Sequence, residues 1–219
     1  METFCGFFVM KITEIFLSLQ GETRTVGLPT IFIRLTGCPL RCGYCDTAYA
    51  FSGGTNYTID EIIQTISQYK TNYVSVTGGE PLAQKDCIEL LTTLCDLNYI
   101  VSLETSGALD ISEVDPRVVK IVDIKTPGSL EVAKNNFNNL AFILPQDQIK
   151  FVICDRNDYE WSKKIMDQFN LTEKCEVLFS PSYEQLPYQQ LADWILADQL
   201  PVRFQIQLHK VIWGDQPGV

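Results

Sequence analysis

The amino-acid sequence predicts an α/β fold, a partial (open) β/α barrel of about six parallel strands. Apolar runs alternate with helical patterns along the chain, which is typical of βα units and a largely parallel sheet. The steps number about six, fewer than the eight that close a barrel. Ligands of such folds bind at the carboxyl ends of the strands, so we expect polar residues that follow strands to share one mouth.

Each element is predicted by the local sequence. The apolar runs that predict strands are residues 31–35, 73–76, 100–104, 119–124, 148–154, 177–179 and 202–208, and a further strand-like run precedes Gln20. Amphipathic patterns predict helices at 58–69, 85–97, 158–169 and 187–200, and a shorter pattern predicts one at 130–136. The first helix opens with a capping box, because Thr58 and Glu61 stand three positions apart.

The composition fits a single domain over residues 1–219. Of the 219 residues, 46% are hydrophobic, which is enough to bury a full core. No low-complexity tract or Ser/Gly linker divides the chain. Residues 1–9 match no pattern and are expected to form an N-terminal extension. The C-terminal tail is expected to contribute to the ligand pocket.

Charge and hydropathy exclude two kinds of partner. Lys and Arg total 17 and Asp and Glu total 27, so the net charge is −10, the wrong sign for binding nucleic acid through its phosphates. No apolar run reaches the ~18 residues that span a membrane. The apolar start lacks a basic stretch, which argues against a secretory signal and favours the cytoplasm. The eight cysteines are therefore expected to stay reduced.

Three cysteines lie on one short loop after the predicted strand at 31–35. Residues 36–47 read TGCPLRCGYCDT, in which Cys38, Cys42 and Cys45 form a CxxxCxxC pattern. Thiolates at this spacing can converge on one metal centre, and soft sulfur ligands select zinc or an iron-sulfur cluster. A closed zinc site takes four protein ligands. Three cysteines on a 4Fe-4S cluster leave one iron open, so we favour a catalytic cluster; zinc with a distant fourth cysteine is the alternative.

A Gly-Gly-Glu-Pro segment follows the next predicted strand. Gly78 and Gly79 let the backbone approach a ligand closely, and Glu80 supplies a carboxylate for an ammonium group, although an ordinary turn would also fit. Together with CxxxCxxC and the aromatic Tyr44 before the last cysteine, this segment resembles the radical S-adenosylmethionine superfamily. The resemblance implies a 4Fe-4S cluster and S-adenosylmethionine as cofactors, with these four residues in the S-adenosylmethionine site.

Further segments resemble one family in particular, the 7-carboxy-7-deazaguanine synthases of queuosine and deazapurine biosynthesis. The matching segments are FLSLQGE (16–22), RLTGC (34–38), CDT (45–47), ETSG (104–107), DIKTP (123–127) and QLHK (207–210). The resemblance implies a lyase that contracts the ring of 6-carboxytetrahydropterin with loss of ammonia, through a radical released by cleavage of S-adenosylmethionine. The protein groups would orient and shield the reactants.

Five residues are expected to bind the substrate. Gln20 and Glu22 suit hydrogen bonds to the amide and amino edge of a pterin, with a solvated turn as the alternative. Arg34 lies in an apolar strand, where an unpaired guanidinium is unfavourable, so its partner is either the substrate carboxylate or an internal Asp or Glu. The resemblance adds two residues. Glu104 is expected at the end of the strand that begins at residue 100, and His209 at the end of the last strand. A structural role is the alternative for this single histidine.

Three more residues are expected beside the cofactors. The resemblance implies that Thr47 helps to coordinate magnesium next to the substrate, and a hydroxyl together with substrate oxygens suits that ion. An Asp-Thr turn is the alternative. The resemblance also places Ser106 and Lys125, each at the end of a strand, in the S-adenosylmethionine site. The alternatives are a helix N-cap for Ser106 and a surface lysine for Lys125.

The resemblance implies three partners: a small pterin substrate, an electron donor such as flavodoxin or ferredoxin, and a second copy in a homodimer. Two other functions fit part of the sequence. A glycyl-radical-enzyme activating protein needs a docking surface rather than a small-molecule pocket. A non-catalytic iron-sulfur or zinc module needs a fourth protein ligand and no open iron.

Overall fold

The period-two alternation of apolar residues builds a nine-stranded sheet in the computed structural model, which describes residues 9–214, 216 and 218. The strands are β1 (Val9–Leu19), β2 (Pro29–Leu35), β3 (Thr55–Thr58), β4 (Tyr73–Gly78), β5 (Ile100–Thr105), β6 (Val119–Asp123), β7 (Gln148–Ile153), β8 (Glu176–Pro181) and β9 (Arg203–Phe204). Their order is β3-β1-β2-β4-β5-β6-β7-β8-β9. β1 pairs antiparallel with β2 and β3. In the rest of this order, from β2 through β4 to β9, each strand pairs parallel with the next. The predicted open, largely parallel α/β architecture is confirmed.

The helices follow the strands as the amphipathic patterns predict. They are α1 (Ile59–Ile66), α2 (Cys87–Asp96), α3 (Arg156–Phe169), α4 (Leu171–Lys174), α5 (Tyr188–Asp198) and α6 (Leu208–Trp213). The capping box of α1 is confirmed, because Thr58 Oγ1 accepts from the Glu61 N–H at 3.2 Å and Glu61 Oε2 accepts from the Thr58 N–H at 2.7 Å. In the described part of the chain, no helix is both long and apolar enough to cross a membrane.

The two faces of the sheet differ in polarity, and this difference positions the site. On β2, the side chains of Ile31, Ile33 and Leu35 are fully buried in a core that includes residues of α1 and α2. A second core joins β7 and β8 to α3 and α5. Alternate positions on the strands carry polar side chains that line a cavity instead, among them Arg34, Thr77, Glu104, Asp123 and Lys150. Because successive side chains of a strand point to opposite faces, the helices cover one face and the cavity lies on the other.

Five helices and strands differ from the sequence prediction. The short helices α4 and α6 were not predicted. Strand β3 was not predicted; it pairs with residues 9–12 of β1. The predicted helix at 130–136 is wrong, because Leu130 adopts a left-handed backbone (φ 67°) between two short 3₁₀ turns, which a helix cannot accommodate. The predicted strand at 202–208 is wrong beyond Phe204. Its pairing with β8 ends where Phe204 lies beside Phe179, and after the Gln205 N–H donates to the Phe179 carbonyl at 3.0 Å the chain leaves the sheet.

Two further expectations concern the N-terminal extension and the C-terminal tail. Residues 1–8 of the expected N-terminal extension lie outside the described residues, and Val9 already begins β1. At the other end, Gln207 and His209 line the cavity, but none of the described residues after Lys210 does. His209 was expected at the end of a strand and lies instead in the first turn of α6.

Candidate functional site

One cavity at the carboxyl ends of the parallel strands brings together almost every side chain that the sequence singles out. Its volume is about 270 Å³. The residues among them that line it are Gln20, Glu22, Arg34, Cys38, Cys42, Tyr44, Cys45, Thr47, Gly78, Gly79, Glu104, Ser106, Lys125 and His209. The exception is Glu80. The expectation that polar residues following different strands share one mouth is therefore confirmed, although these residues lie far apart in the sequence.

The cluster loop, residues 36–47, presents three thiols to this cavity. Cys38, Cys42 and Cys45 are unpaired and half-buried. The Cys45 N–H donates to the Cys42 carbonyl at 3.2 Å, and the Leu40 N–H lies 3.4 Å from Cys38 Sγ, so the loop folds back on itself around the sulfurs. Arg41 braces the turn by donating to the Cys38 carbonyl at 2.7 Å.

The donor set fits an iron-sulfur cluster better than a zinc ion. Burial raises the pKa of the Cys38 and Cys42 thiols, so these sulfurs need a metal's positive charge to ionise. Among the described residues, no three His, Cys, Asp or Glu side chains are grouped so that they could hold a single metal ion. Three cysteines spread around one cavity match the protein ligands of a 4Fe-4S cluster with an open iron.

The Gly-Gly-Glu-Pro segment lies directly against the cluster loop. A Cβ on Gly78, whose φ is 144°, would lie 2.2 Å from the Leu35 carbonyl oxygen, and one on Gly79 would lie 2.2 Å from the Gly37 carbonyl oxygen. Only glycine allows this approach. The Glu80 N–H then donates to the Gly37 carbonyl at 2.8 Å, which fixes the two loops together.

The structure corrects the contact expected of Glu80. Its side chain is fully buried and does not line the cavity. The carboxylate accepts hydrogen bonds from the Thr105 hydroxyl (2.9 Å), the Ser106 N–H (2.7 Å), the Ser106 hydroxyl and the Leu82 N–H (3.1 Å). These donors occupy the lone pairs that a ligand ammonium would need. Glu80 therefore ties β4 to β5 and orients Ser106, while Gly78 and Gly79 line the cavity.

Lys125 belongs to the cavity rather than to the surface. Its Nζ lies 2.8 Å from Asp123 Oδ2 and 5.8 Å from the centre of the Tyr44 ring. Burial disfavours the ammonium, but Asp123 and Cys42 hold the pKa of Lys125 above its ordinary value. Asn135 clamps the Lys125 backbone through two 2.8 Å hydrogen bonds. Asp123 Oδ1 and the Tyr44 hydroxyl are buried without a hydrogen-bond partner among the described residues, so polar atoms remain for a bound ligand.

A second group of polar side chains lies on the floor of the cavity. Glu104, on β5, accepts from Gln20 Nε2 (3.2 Å), Ser75 Oγ (3.2 Å) and Thr77 Oγ1 (3.4 Å). The Glu22 N–H donates to Gln20 Oε1 at 3.2 Å. Gln20 and Glu22, which follow β1, are therefore buried and ordered by partners on β5 and β7, which argues against a solvated turn.

Arg34 has an internal partner. Its Nε donates to Glu14 Oε1 at 2.7 Å, and the same oxygen accepts from the Tyr49 hydroxyl at 2.8 Å. The guanidinium carbon lies 5.8 Å from the centre of the Phe16 ring. The structure thus contains the internal acid that the sequence left open as an alternative, while the side chain still lines the cavity.

His209 is held over the cavity by the start of α6. The Leu208 N–H donates to the Gly21 carbonyl at 2.9 Å, and the imidazole packs on Gly21 so closely that a Cβ there would lie 2.1 Å from His209 Nδ1. Burial lowers the pKa of His209 and outweighs the opposing effects of Glu22 and Asp46. The imidazole is therefore neutral at pH 7 and can accept as well as donate a hydrogen bond.

Thr47 faces the cavity beside an acidic neighbour. Its hydroxyl donates to Asp46 Oδ1 at 2.8 Å, and Gln207 Nε2 donates to Asp46 Oδ2 at 3.2 Å. Burial opposes ionisation of Asp46, but the Thr47 hydrogen bond and Lys210 hold its pKa below the ordinary value. The expected Asp-Thr contact is present, and the Thr47 oxygen keeps lone pairs that can face a hard cation.

Sequence reasoning missed several residues of the cavity wall. The most informative is Lys150, whose ammonium contacts the Glu22 carboxylate. Its signal was available, because a charged residue interrupts the apolar strand β7 just as Arg34 interrupts β2. In the sequence analysis, Asp123 appears only as part of the DIKTP segment (123–127), and no role was predicted for it. The residues that follow β8, Ser182 and Tyr183, have no comparable signal in the sequence.

Comparisons with known proteins agree with this geometry. The model of the radical SAM superfamily matches residues 32–168. The chain is 44% identical, over 96% of its length and 97% of the relative's, to 7-carboxy-7-deazaguanine synthase of Chlorobaculum tepidum. It is 42% identical, over 93% of its length and 97% of the relative's, to the protein of the same name from Koribacter versatilis.

Solved structures share the fold. QueE from Escherichia coli superposes with a TM-score of 0.76 at 22% identity, covering 92% of this chain and 95% of that one. Streptococcus suis SuiB bound to S-adenosylmethionine superposes with a TM-score of 0.56 at 14% identity, covering 78% of this chain and 45% of that one. At these identities the likeness supports the architecture alone.

Proposed function

We propose, since the chain belongs to the radical SAM superfamily and to its 7-carboxy-7-deazaguanine synthase family, that it converts 6-carboxytetrahydropterin to 7-carboxy-7-deazaguanine with loss of ammonia. The observation that carries this proposal is the shared cavity, in which the three cluster cysteines face Gln20 and Glu104. A glycyl-radical activating protein would have no use for such buried polar groups. A non-catalytic module would need a fourth ligand that the cluster loop lacks.

The cofactors fit the upper part of the cavity. A 4Fe-4S cluster on Cys38, Cys42 and Cys45, with S-adenosylmethionine on its open iron, supplies the radical that begins the reaction. We assign the methionyl end of S-adenosylmethionine to the backbone of Gly78 and Gly79. We assign the Ser106 hydroxyl, the Lys125 ammonium and the Tyr44 ring, which line the same cavity, to the rest of that molecule. Glu80 belongs to this site through the hydrogen bonds by which it orients Ser106.

The floor of the cavity fits the pterin. Gln20, Glu22 and Glu104 offer the carboxylate and amide oxygens that an aminopyrimidinone edge, which is rich in N–H donors, requires. We assign the guanidinium nitrogens of Arg34 that Glu14 does not use to the substrate carboxylate. A neutral His209 closes the site from α6 and can hydrogen-bond a ring nitrogen.

Magnesium is a further part of the proposal. Thr47, at the end of the cluster loop, lines the cavity, and the described residues offer no cage of three acidic or histidine side chains near it. Magnesium commonly keeps several waters and takes few protein ligands when a substrate supplies oxygens. We assign Thr47 as its protein ligand beside the substrate carboxylate.

Partners follow from the same assignment. The cluster must receive one electron per cleavage, so we propose a flavodoxin or ferredoxin as electron donor. A homodimer and a cytoplasmic location are proposed from the resemblance to the synthases. Sedimentation of the purified chain tests the dimer: a mass near twice 24.8 kDa supports it, and a mass near 24.8 kDa contradicts it.

The proposed reaction is tested with the reconstituted enzyme under anaerobic conditions. Incubation with 6-carboxytetrahydropterin, S-adenosylmethionine, magnesium and a reductant should yield 7-carboxy-7-deazaguanine, detected by mass. Cys42→Ser, which removes one cluster ligand, should yield none. If the fully loaded wild-type enzyme cleaves S-adenosylmethionine but leaves the pterin unchanged, the assignment to this substrate is wrong.

A further inference from the structure

Lys150 is a buried cation on the floor of the cavity that the proposed function does not use. It lies in the middle of β7, on the cavity face of the sheet, with 13% of its side chain exposed. Its ammonium makes a direct ion pair with the Glu22 carboxylate, whose side chain is 9% exposed. A lysine this deeply placed needs a reason, because burying an ammonium is unfavourable unless a partner compensates.

Acidic groups dominate the surroundings of this pair. Glu104 on β5 is held by the neutral donors Gln20, Ser75 and Thr77. The charged or titratable groups that face Lys150 or Glu22 from the packed elements are Glu104 on β5, Asp123 on β6, Asp46 in the cluster loop and His209 on α6. Lys210 acts on Asp46 and His209. Burial disfavours the Lys150 ammonium, but Glu22 and Asp123 hold the pKa of Lys150 above its ordinary value. The lysine is therefore charged whenever the enzyme works.

We propose that Lys150 is a positioning residue of the pterin site, which holds Glu22 as a fixed, ionised acceptor for the N–H groups of the substrate's pyrimidine ring. The proposal rests on the proposed function. An ionised carboxylate can accept from two adjacent N–H donors, whereas a protonated one presents a hydrogen of its own to one of them. Without Lys150, the buried Glu22 carboxylate would lose its ion-pair partner and would no longer be held in place for these donors.

The test compares Lys150→Met and Lys150→Arg with wild type. In Lys150→Met we expect KM for 6-carboxytetrahydropterin to rise roughly 10- to 100-fold at neutral pH, as for the loss of a hydrogen bond to a charged group. The rise in KM should exceed any change in kcat, because Lys150 acts on substrate binding through Glu22. Lys150→Arg keeps the charge and should recover most of the affinity. Calorimetric binding of 7-carboxy-7-deazaguanine should weaken in Lys150→Met and recover in Lys150→Arg, without turnover.

Lys120 supplies a matched control. It is also a buried lysine, which lies on β6 and pairs at 2.9 Å with Asp147, the residue before β7, but neither residue lines the cavity. Lys120→Met should lower thermal stability and leave KM for 6-carboxytetrahydropterin unchanged. If Lys150→Met behaves like Lys120→Met, Lys150 has only a structural role and the proposal is overturned.

A double variant keeps the proposal testable if Lys150→Met folds poorly. Glu22→Gln removes the charge that Lys150 balances, so adding Lys150→Met to Glu22→Gln should have little further effect on stability or KM. Equal effects of Lys150→Met in both backgrounds would contradict the proposal. Turnover of the pterin by wild type separates the proposed function from the role of Lys150. If wild type does not turn over the pterin, the proposed substrate is wrong. If wild type turns it over and Lys150→Met has the same kinetics, only the role of Lys150 is refuted.

Discussion

The contact between Gly21 and His209 gives the sharpest mutational prediction. The backbone of Gly21 lies outside the left-handed region, so alanine causes no strain in the chain itself. Its Cβ would, however, lie 2.1 Å from His209 Nδ1 and 3.0 Å from Cγ. Ordinary contact requires about 3.5 Å, so the imidazole must withdraw by about 1.4 Å. Gly21→Ala therefore displaces the start of α6 from the cavity.

The size of the effect follows from the contacts that the displacement breaks. Overpacking of this kind costs about 1–3 kcal/mol. The hydrogen bond from the Leu208 N–H to the Gly21 carbonyl, worth about 1 kcal/mol, is lost as well if α6 moves away. The free energy of unfolding should therefore fall by about 2–4 kcal/mol. Pterin affinity should fall as well, because the imidazole no longer closes the site.

The single histidine of the chain makes the assay direct. In wild type, burial keeps the pKa of His209 below its ordinary value, so the imidazole titrates by NMR below about 6.5. In Gly21→Ala the ring moves toward solvent, and the titration midpoint should rise toward about 6.5. A wild-type midpoint above that value would contradict the burial of His209.

A double variant separates the contact from any other effect of alanine. In a His209→Ala background the imidazole is absent, so Gly21→Ala should no longer lower the free energy of unfolding. Chemical denaturation of the four proteins measures this coupling. If Gly21→Ala leaves the His209 resonance, its titration and the pterin affinity unchanged, the seating of α6 on Gly21 is not what positions the imidazole.

Two further substitutions test other parts of the site. Glu80→Gln places an NH₂ group against the donors of Thr105 and Ser106, so the free energy of unfolding should fall by about 1–3 kcal/mol in chemical denaturation; an unchanged value would contradict the bracing role of Glu80. Thr47→Ala should reduce the stimulation of the rate by magnesium and leave the iron content intact. An unchanged ratio of rates with and without magnesium would remove Thr47 from the proposed metal site.

Much of the fold could be predicted because local and tertiary preferences agree. The alternation on β2, with Ile31, Ile33 and Leu35 toward the helices, is legible in the sequence, and so is the capping box of α1. The prediction failed where a neighbour decided the outcome. Residues 205–208 alternate like a strand, but their pairing with β8 stops at Phe204, and the chain leaves the sheet and enters α6 at Leu208.

The site was predictable as a set of residues but not as a set of contacts. Motif spacing identified Glu80, yet only the structure shows that its carboxylate is saturated by the loop after β5. Arg34 was expected to need a partner, and which acid supplies it depends on the pairing of β1 with β2 that brings Glu14 opposite it. Lys150 was missed because its reason for being buried, Glu22, lies far away in sequence.

Electron paramagnetic resonance of the anaerobically reconstituted, reduced protein tests the central claim most directly. An open iron beside the Gly78–Gly79 backbone predicts a 4Fe-4S signal that changes shape when S-adenosylmethionine is added and that disappears in Cys42→Ser. A signal that S-adenosylmethionine leaves unchanged, or metal analysis that finds zinc and no iron, would contradict the claim that the three cysteines of the cluster loop hold a catalytic cluster.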